Sequence, residues 1–178
     1  HLAYTHAPQQ GHRIALIVLD GMALADWAVI REAWAERHPT WHWEERLVLA
    51  QIPTLTSISR QALVSGLRPL DFADSLTVTH QEPQRWHDFW SGYGLDRRAS
   101  PYVRLRGRDE HLPSELTSVH TRALCAVDGA PDDFVHNASL GERDVHSSLR
   151  LWLQDEGRYL DDAIATLLAQ EFVVALTT

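Results

Sequence analysis

Residues 13–19 form the run RIALIVL, which is continuously apolar from Ile14 to Leu19 and rich in β-branched side chains. A strand with one face in water alternates apolar and polar residues, whereas a strand covered on both faces does not. The run therefore predicts a central strand of a parallel sheet that has helices on both of its faces. It ends in Asp20-Gly21, and sheets of this kind bind ligands beyond the carboxyl ends of their strands. Asp20 is then either a turn residue or a ligand for a metal or a substrate.

Other segments of the chain extend this pattern. Further strands are predicted at residues 46–52, 121–127 and 172–176, with a short alternating strand near 102–106. Helices are predicted at 24–36, after Thr56, at 83–93, and over 142–170 with a break near Gly157. Together these elements predict an α/β fold, a three-layer αβα sandwich around a mostly parallel central sheet. Residues 1–12 are expected to form a polar lead-in or linker, and residues 67–120 an irregular insertion.

Composition narrows the classes of function. The formal net charge is −8 and all 16 basic residues are arginine, which argues against attraction of the whole surface to nucleic acid. A local cluster is either a solvated surface or a contact for an anionic substrate; it consists of Arg97, Arg98, Arg104, Arg106 and Arg108. No apolar run has the length of a membrane span. The single cysteine, Cys125, cannot form an internal disulfide, so a cytoplasmic protein is expected.

The stretch QIPTLTSISRQALVSG, residues 51–66, predicts the end of a strand, a hydroxyl-rich turn and a helix that ends at Gly66. Free N–H groups at the start of a helix favour an anion such as phosphate. Thr56 or Ser57 is expected to cap this helix, and Thr56 can both cap it and take part in chemistry beside a bound phosphate. We expect Asp20 and Thr56 to face the same crevice, because each follows a predicted parallel strand.

The predicted strand 121–127 is followed by DGAPDDFVH. Within it, Asp132 and His136 are four residues apart, just beyond the carboxyl end of a strand. An Asp and a His four residues apart are expected about once by chance in a chain of this composition, so the spacing alone indicates nothing. Their position beyond a strand makes Asp132 and His136 candidates for a site.

Taken together, these segments resemble a PglZ domain, a branch of the alkaline phosphatase superfamily. The resemblance covers residues 13–178 and rests on four segments: IALIVLDG at 14–21, IPTLTSISRQALVSGLRP at 52–69, the segment RWHDFW, and AVDGAPDDFVH at 126–136. A framework of five residues is also similar to the nucleophile segment of nucleotide phosphodiesterases in the superfamily; it consists of Pro53, Thr54, Thr56, Ser65 and Gly66. The resemblance implies an alkaline-phosphatase-like αβα domain of a bacterial phage-resistance protein.

The resemblance also implies a mechanism with two divalent cations that activate a hydroxyl and clamp the transferring phosphoryl group. It assigns Asp20 to one metal, Thr56 as the nucleophile touching that metal, and Asp132 with His136 to the second. Carboxylate and imidazole ligands suit Zn²⁺ or Mn²⁺. Nucleotide phosphodiesterases have an Asn three residues after the nucleophile, where this chain has Ser59. Substrate contacts are therefore expected from Ser59, Arg60 and backbone N–H groups.

The superfamily takes further metal ligands, an Asp-His pair and a His, from beyond a strand such as FVVALTT at residues 172–178. Because the sequence stops there, we expect a truncated domain with incomplete metal sites and little activity alone. Two functions are then open. One is a metal-dependent phosphoesterase, a phosphodiesterase or nuclease, acting on a phosphorylated substrate or nucleic acid together with other phage-defence proteins. The alternative is a non-catalytic scaffold that retains the fold and binds partners.

Overall fold

The computed structural model describes residues 11–106, 111–137 and 141–178, apart from the side chain of Glu142. Residues 1–10 of the predicted lead-in, and Arg108 of the predicted arginine cluster, lie outside these ranges.

A single parallel sheet lies at the centre of the described part of the chain. Its strands are β1 (Arg13–Leu19), β2 (Tyr102–Leu105), β3 (Ala123–Asp128) and β4 (Phe172–Thr177). Their order in the sheet is β2-β3-β1-β4, and every neighbouring pair is parallel. The prediction of a parallel sheet with a buried inner strand at 13–19 is confirmed.

Helices cover both faces of the sheet. They are α1 (Leu24–Arg37), α2 (Thr56–Ser65), α3 (Glu82–Ser91), α4 (Ala130–Asn137), α5 (Glu142–Gln154) and α6 (Arg158–Ala169). Short 3-10 segments lie at Pro69–Ser75 and Ser114–Leu116. No helix in the described ranges has both the length and the apolar character needed to cross a bilayer.

The alternation of side chains along β1 separates two apolar layers. Ala15, Ile17 and Leu19 pack with apolar residues of α1, α5 and α6, whereas Ile14, Leu16 and Val18 pack with those of α2 and α3. The predicted three-layer αβα arrangement is therefore present, with the sheet as the middle layer.

The strand predicted at residues 46–52 does not form. Leu47, Val48 and Leu49 are 84%, 81% and 99% exposed, and these residues have no regular secondary structure. Both edges of β1 are already paired, with β3 on one side and β4 on the other. A β1-α1-β unit therefore has no place beside β1 for a further strand, and that prediction is wrong.

The region predicted as an irregular insertion at 67–120 contributes to the core. Strand β2 forms one edge of the sheet, and helix α3 buries Trp86 and Trp90 against the sheet. The aromatic spacing that predicted a helix at 83–93 reflects this packing.

Candidate active site

The carboxyl end of β1 places Asp20 at the rim of the sheet. The backbone N–H of Asp20 donates to the Asp128 carbonyl oxygen at 2.8 Å, which continues the pairing of β1 with β3 by one residue. Because side chains alternate along a strand, Asp20 points to the same face as Val18, the face that α2 and α3 cover. Asp128 points to the opposite face, where it accepts hydrogen bonds from the Tyr159 hydroxyl and from the Ala130 N–H.

A buried arginine from α2 reaches the Asp20 carboxylate. Arg60 Nη1 donates to Asp20 Oδ2 at 2.7 Å. On its other side the same guanidinium donates from Nε and Nη2 to Glu82 Oε1, at 3.1 and 2.9 Å. Glu82 Oε2 accepts a hydrogen bond from the Tyr102 hydroxyl. Arg60 was predicted as a substrate contact, and the structure places it between two carboxylates, with its side chain only 7% exposed.

Several charges act on Asp20. Burial raises the pKa of this carboxyl above its usual value, and the negative charge of Asp132 raises it further. The positive charges of Arg60 and Arg104 act in the opposite direction. Geometry places Asp132 at this strand end, because a Cβ on the neighbouring Gly21 would lie 2.8 Å from Asp132 Oδ1.

Gly21 allows α4 to approach the end of β1. Its φ is +74°, and a Cβ on this residue would lie 2.8 Å from Asp132 Oδ1 and 2.9 Å from Asp132 Cα. A side chain here would both strain the backbone and displace Asp132. In α4, His136 Nε2 lies 3.4 Å from Asp132 Oδ1, one helical turn away, and the His136 side chain is 75% exposed. Asp132 and His136 can therefore share one cation.

The start of α2 carries the predicted nucleophile. Thr56 is the first residue of the helix and is exposed, whereas the N-cap is Leu55, with no side-chain capping bond. The prediction that Thr56 or Ser57 caps this helix is wrong. Ser57 instead donates from Oγ to the Leu76 carbonyl at 2.6 Å, which anchors the following loop.

Ser59 and Arg60 follow Thr56 by three and four residues. Residues at these spacings share a helical face, so Thr56 lies on the side of α2 whose Arg60 contacts Asp20. Ser59 Oγ is buried and has no hydrogen-bond partner among the described residues. A buried hydroxyl without a partner is costly, and an oxygen of a bound ligand would satisfy it.

The described side chains supply few of the donors that a metal ion would need. In the ranges that the structure describes, no group of three or more His, Cys, Asp or Glu side chains is arranged to hold a metal ion. The pair Asp132 and His136 fits as part of a cation site, and Gly21 keeps open the approach of Asp132 to the strand end. Arg60 occupies one oxygen of the Asp20 carboxylate, Oδ2. A metal ion would therefore bind the other oxygen or displace Arg60.

Strand β2 divides the predicted arginine cluster between opposite ends of the sheet. Arg97 and Arg98 precede β2, whereas Arg104 lies near its carboxyl end. Arg104 is exposed. The alternation of residues 102–105 predicts that Tyr102 and Arg104 share a face, but nothing in the sequence indicated that Glu82 would accept a hydrogen bond from Tyr102.

Residues 5–111 match the PglZ family, described as the BREX system PglZ alkaline phosphatase-like domain. The chain belongs to the PglZ family. This confirms the resemblance drawn from the sequence and sets the domain in the context of BREX phage defence. The matched range includes Asp20, Thr56 and Arg60, whereas Asp132 and His136 lie beyond it. No curated protein matches the chain.

Proposed function

We propose that this PglZ domain is a metal-dependent phosphoesterase-type hydrolase, a phosphodiesterase or nuclease. The observation that carries the proposal is the bond of 2.7 Å between Arg60 and Asp20. This hydrogen bond joins α2, which begins at Thr56, to the carboxyl end of β1, where Asp132 closely approaches Gly21. A hydroxyl, carboxylates and a guanidinium at one rim of a parallel sheet are the groups that phosphoryl transfer needs.

In this proposal Asp20 and Thr56 hold one divalent cation, and Asp132 and His136 contribute to a second. Zn²⁺ and Mn²⁺ suit these donors. When bound, such cations lower the pKa of a hydroxyl and neutralise charge on the phosphoryl group.

Thr56 is the proposed nucleophile. Its oxygen forms a bond to phosphorus while the bond to the leaving oxygen breaks; the Thr56 proton passes to solvent, and the leaving oxygen takes up a proton from solvent. A water oxygen then displaces Thr56 from phosphorus, which releases the phosphate product and restores the hydroxyl. The backbone N–H groups of Thr56 and Ser57, the Ser59 hydroxyl and Arg60 donate to the non-bridging oxygens during both steps.

The test is hydrolysis of bis(p-nitrophenyl) phosphate, with Mn²⁺ or Zn²⁺, by the purified full-length protein that contains this domain, because residues 1–178 are expected to have little activity alone. Thr56→Ala should reduce kcat by about 1,000-fold or more, because no neighbouring group replaces the nucleophile. Thr54→Ala is the matched control: this threonine is also exposed, but it lies outside the helix, and its loss should change kcat by less than about threefold. Asp132→Ala should lower activity and weaken its dependence on metal concentration.

A scaffold role is the second candidate, and one observation favours it. Leu47, Val48, Leu49 and Ile52 expose apolar side chains in an irregular segment, and exposed apolar patches often mark contacts with other proteins. In that case the partners would be other proteins of the BREX system. Hydrolysis that neither Thr56→Ala nor Asp132→Ala alters would contradict the assignment of the site, whereas a full-length protein that hydrolyses no phosphodiester with Mn²⁺ or Zn²⁺ would favour the scaffold role.

A further inference from the structure

Glu82 is a charged side chain with no exposed surface. It lies in the first turn of α3, and both of its carboxylate oxygens are engaged. Oε1 accepts two hydrogen bonds from Arg60, and Oε2 accepts one from the Tyr102 hydroxyl. The carboxylate is thus fixed by two different elements, α2 and β2.

This arrangement sets the orientation of the Arg60 guanidinium. Two of its N–H groups point to Glu82 and one to Asp20. A guanidinium carries five N–H donors in a planar fork, so two remain without a described acceptor. Planar donors of this kind bind the oxygens of phosphate in a paired geometry.

An ion pair that only stabilises the fold does not need an arginine held between two carboxylates. One carboxylate neutralises one arginine, whereas Arg60 is held between two, one of them fully buried and the other at the rim of the sheet. Buried ion pairs contribute little to stability relative to apolar packing. A long side chain that is already held in one orientation loses little conformational entropy when it binds a ligand. Such a side chain therefore binds more tightly than a mobile one.

We propose that Glu82 is a positioning residue: it holds Arg60 beside Asp20 so that the remaining N–H groups bind oxygens of a tetrahedral phosphoryl group. This role for Glu82 rests on the proposed function, and Glu82 acts through Arg60 rather than by touching the phosphoryl group itself. Tyr102 assists by holding the second oxygen of Glu82.

The test measures binding of inorganic phosphate to the purified protein by isothermal titration calorimetry. Glu82→Gln should weaken phosphate binding about tenfold, because the amide no longer holds the guanidinium with a full charge. Glu82→Asp should recover part of that loss. Tyr102→Phe, which leaves Glu82 in place and changes little volume, should weaken binding by about threefold.

Asp161→Asn is the matched control. Asp161 is a comparably buried carboxylate that accepts hydrogen bonds from Trp34 Nε1 at 2.7 Å and from Arg37, and lies 3.0 Å from His38 Nε2, on the opposite face of the sheet. Its loss should destabilise the fold but leave phosphate affinity within about twofold of wild type. Thermal unfolding of each variant measures the structural cost separately.

Two results would overturn the inference. One is a wild-type protein that binds no phosphate. The other is a set of folded variants in which Glu82→Gln and Tyr102→Phe bind phosphate as well as Asp161→Asn does. Phosphate binding that depends on Glu82 in a protein without phosphodiesterase activity would support the inference while contradicting the proposed function.

Discussion

Gly21 links the strand that the sequence predicts most clearly to the helix that carries Asp132. Its backbone has φ of +74°, and an added Cβ would lie 2.8 Å from Asp132 Oδ1. The Asp-Gly dipeptide could be found in the sequence as a turn signal. The close approach of Asp132 could not, because Gly21 and Asp132 are far apart along the chain.

Replacement of Gly21 by alanine should therefore do more than strain a turn. Gly94 also has a positive φ, +81°, but an added Cβ there meets no atom within 4 Å. Gly94→Ala should lower the free energy of unfolding by about 1–2 kcal/mol. Gly21→Ala should cost more and should also weaken Mn²⁺ binding, which titration calorimetry measures. Equal costs, with unchanged Mn²⁺ affinity, would show that Asp132 does not depend on this glycine.

Among the elements, residues 46–52 show that a local sequence pattern is not sufficient to predict a strand. Their composition is that of a strand, but β3 and β4 occupy both edges of β1, and the exposed side chains of Leu47, Val48 and Leu49 pack against no other part of the described sheet. Helices α1, α3, α5 and α6 were predicted within a few residues of their bounds, because the pattern of each is contained in its own sequence. Helix α4 was not predicted, because its residues were interpreted only as a segment that follows a strand.

Two leucine substitutions test whether residues 46–52 are exposed to solvent. Leu49 is 99% exposed and Leu19, at the end of β1, is 0% exposed. Leu49→Ala should change the free energy of unfolding by less than about 0.5 kcal/mol, whereas Leu19→Ala should cost about 2–5 kcal/mol. A cost of about 2 kcal/mol or more for Leu49→Ala, by urea denaturation, would show that residues 46–52 are packed as a strand after all.

For the molecule as a whole, buried acids at the carboxyl rim of the sheet couple stability to pH. Burial raises the pKa of Asp20 and of Asp128 above their usual values. The folded protein therefore binds protons at these sites more readily than the unfolded chain does. Their contribution to stability is fully present below the unfolded pKa and is lost as the pH rises through the folded pKa.

Asp128→Asn should accordingly flatten the decline in unfolding free energy as the pH rises from about 4, near the pKa of an unfolded aspartate. The amide oxygen can still accept from the Ala130 N–H, so the fold is retained. Asp71→Asn is the control of opposite sign, because the hydrogen bond from Arg68 lowers the pKa of Asp71. Urea denaturation across this pH range measures both. An Asp128→Asn variant with the same pH slope as wild type would contradict the prediction.

Much of this protein could be predicted from its sequence. Strand β1, most of the helices and the αβα class follow from patterns within short segments, where hydrophobic period and turn residues act locally. The PglZ family was recognised from the resemblance of four segments, and the family match confirms it. The positions of Asp20, Asp132 and His136 after predicted strands made them candidates, and the resemblance to the PglZ family assigned their roles and that of Thr56.

The tertiary structure decided which strands pair with β1 and what surrounds Asp20. Arg60 lies 40 residues from Asp20 and 22 from Glu82, and their contacts depend on how α2 and α3 pack on the sheet. Such contacts result from competition among distant segments for a limited number of strand edges and buried positions. Local sequence patterns do not record that competition, which is why residues 46–52 were assigned wrongly and Glu82 was missed.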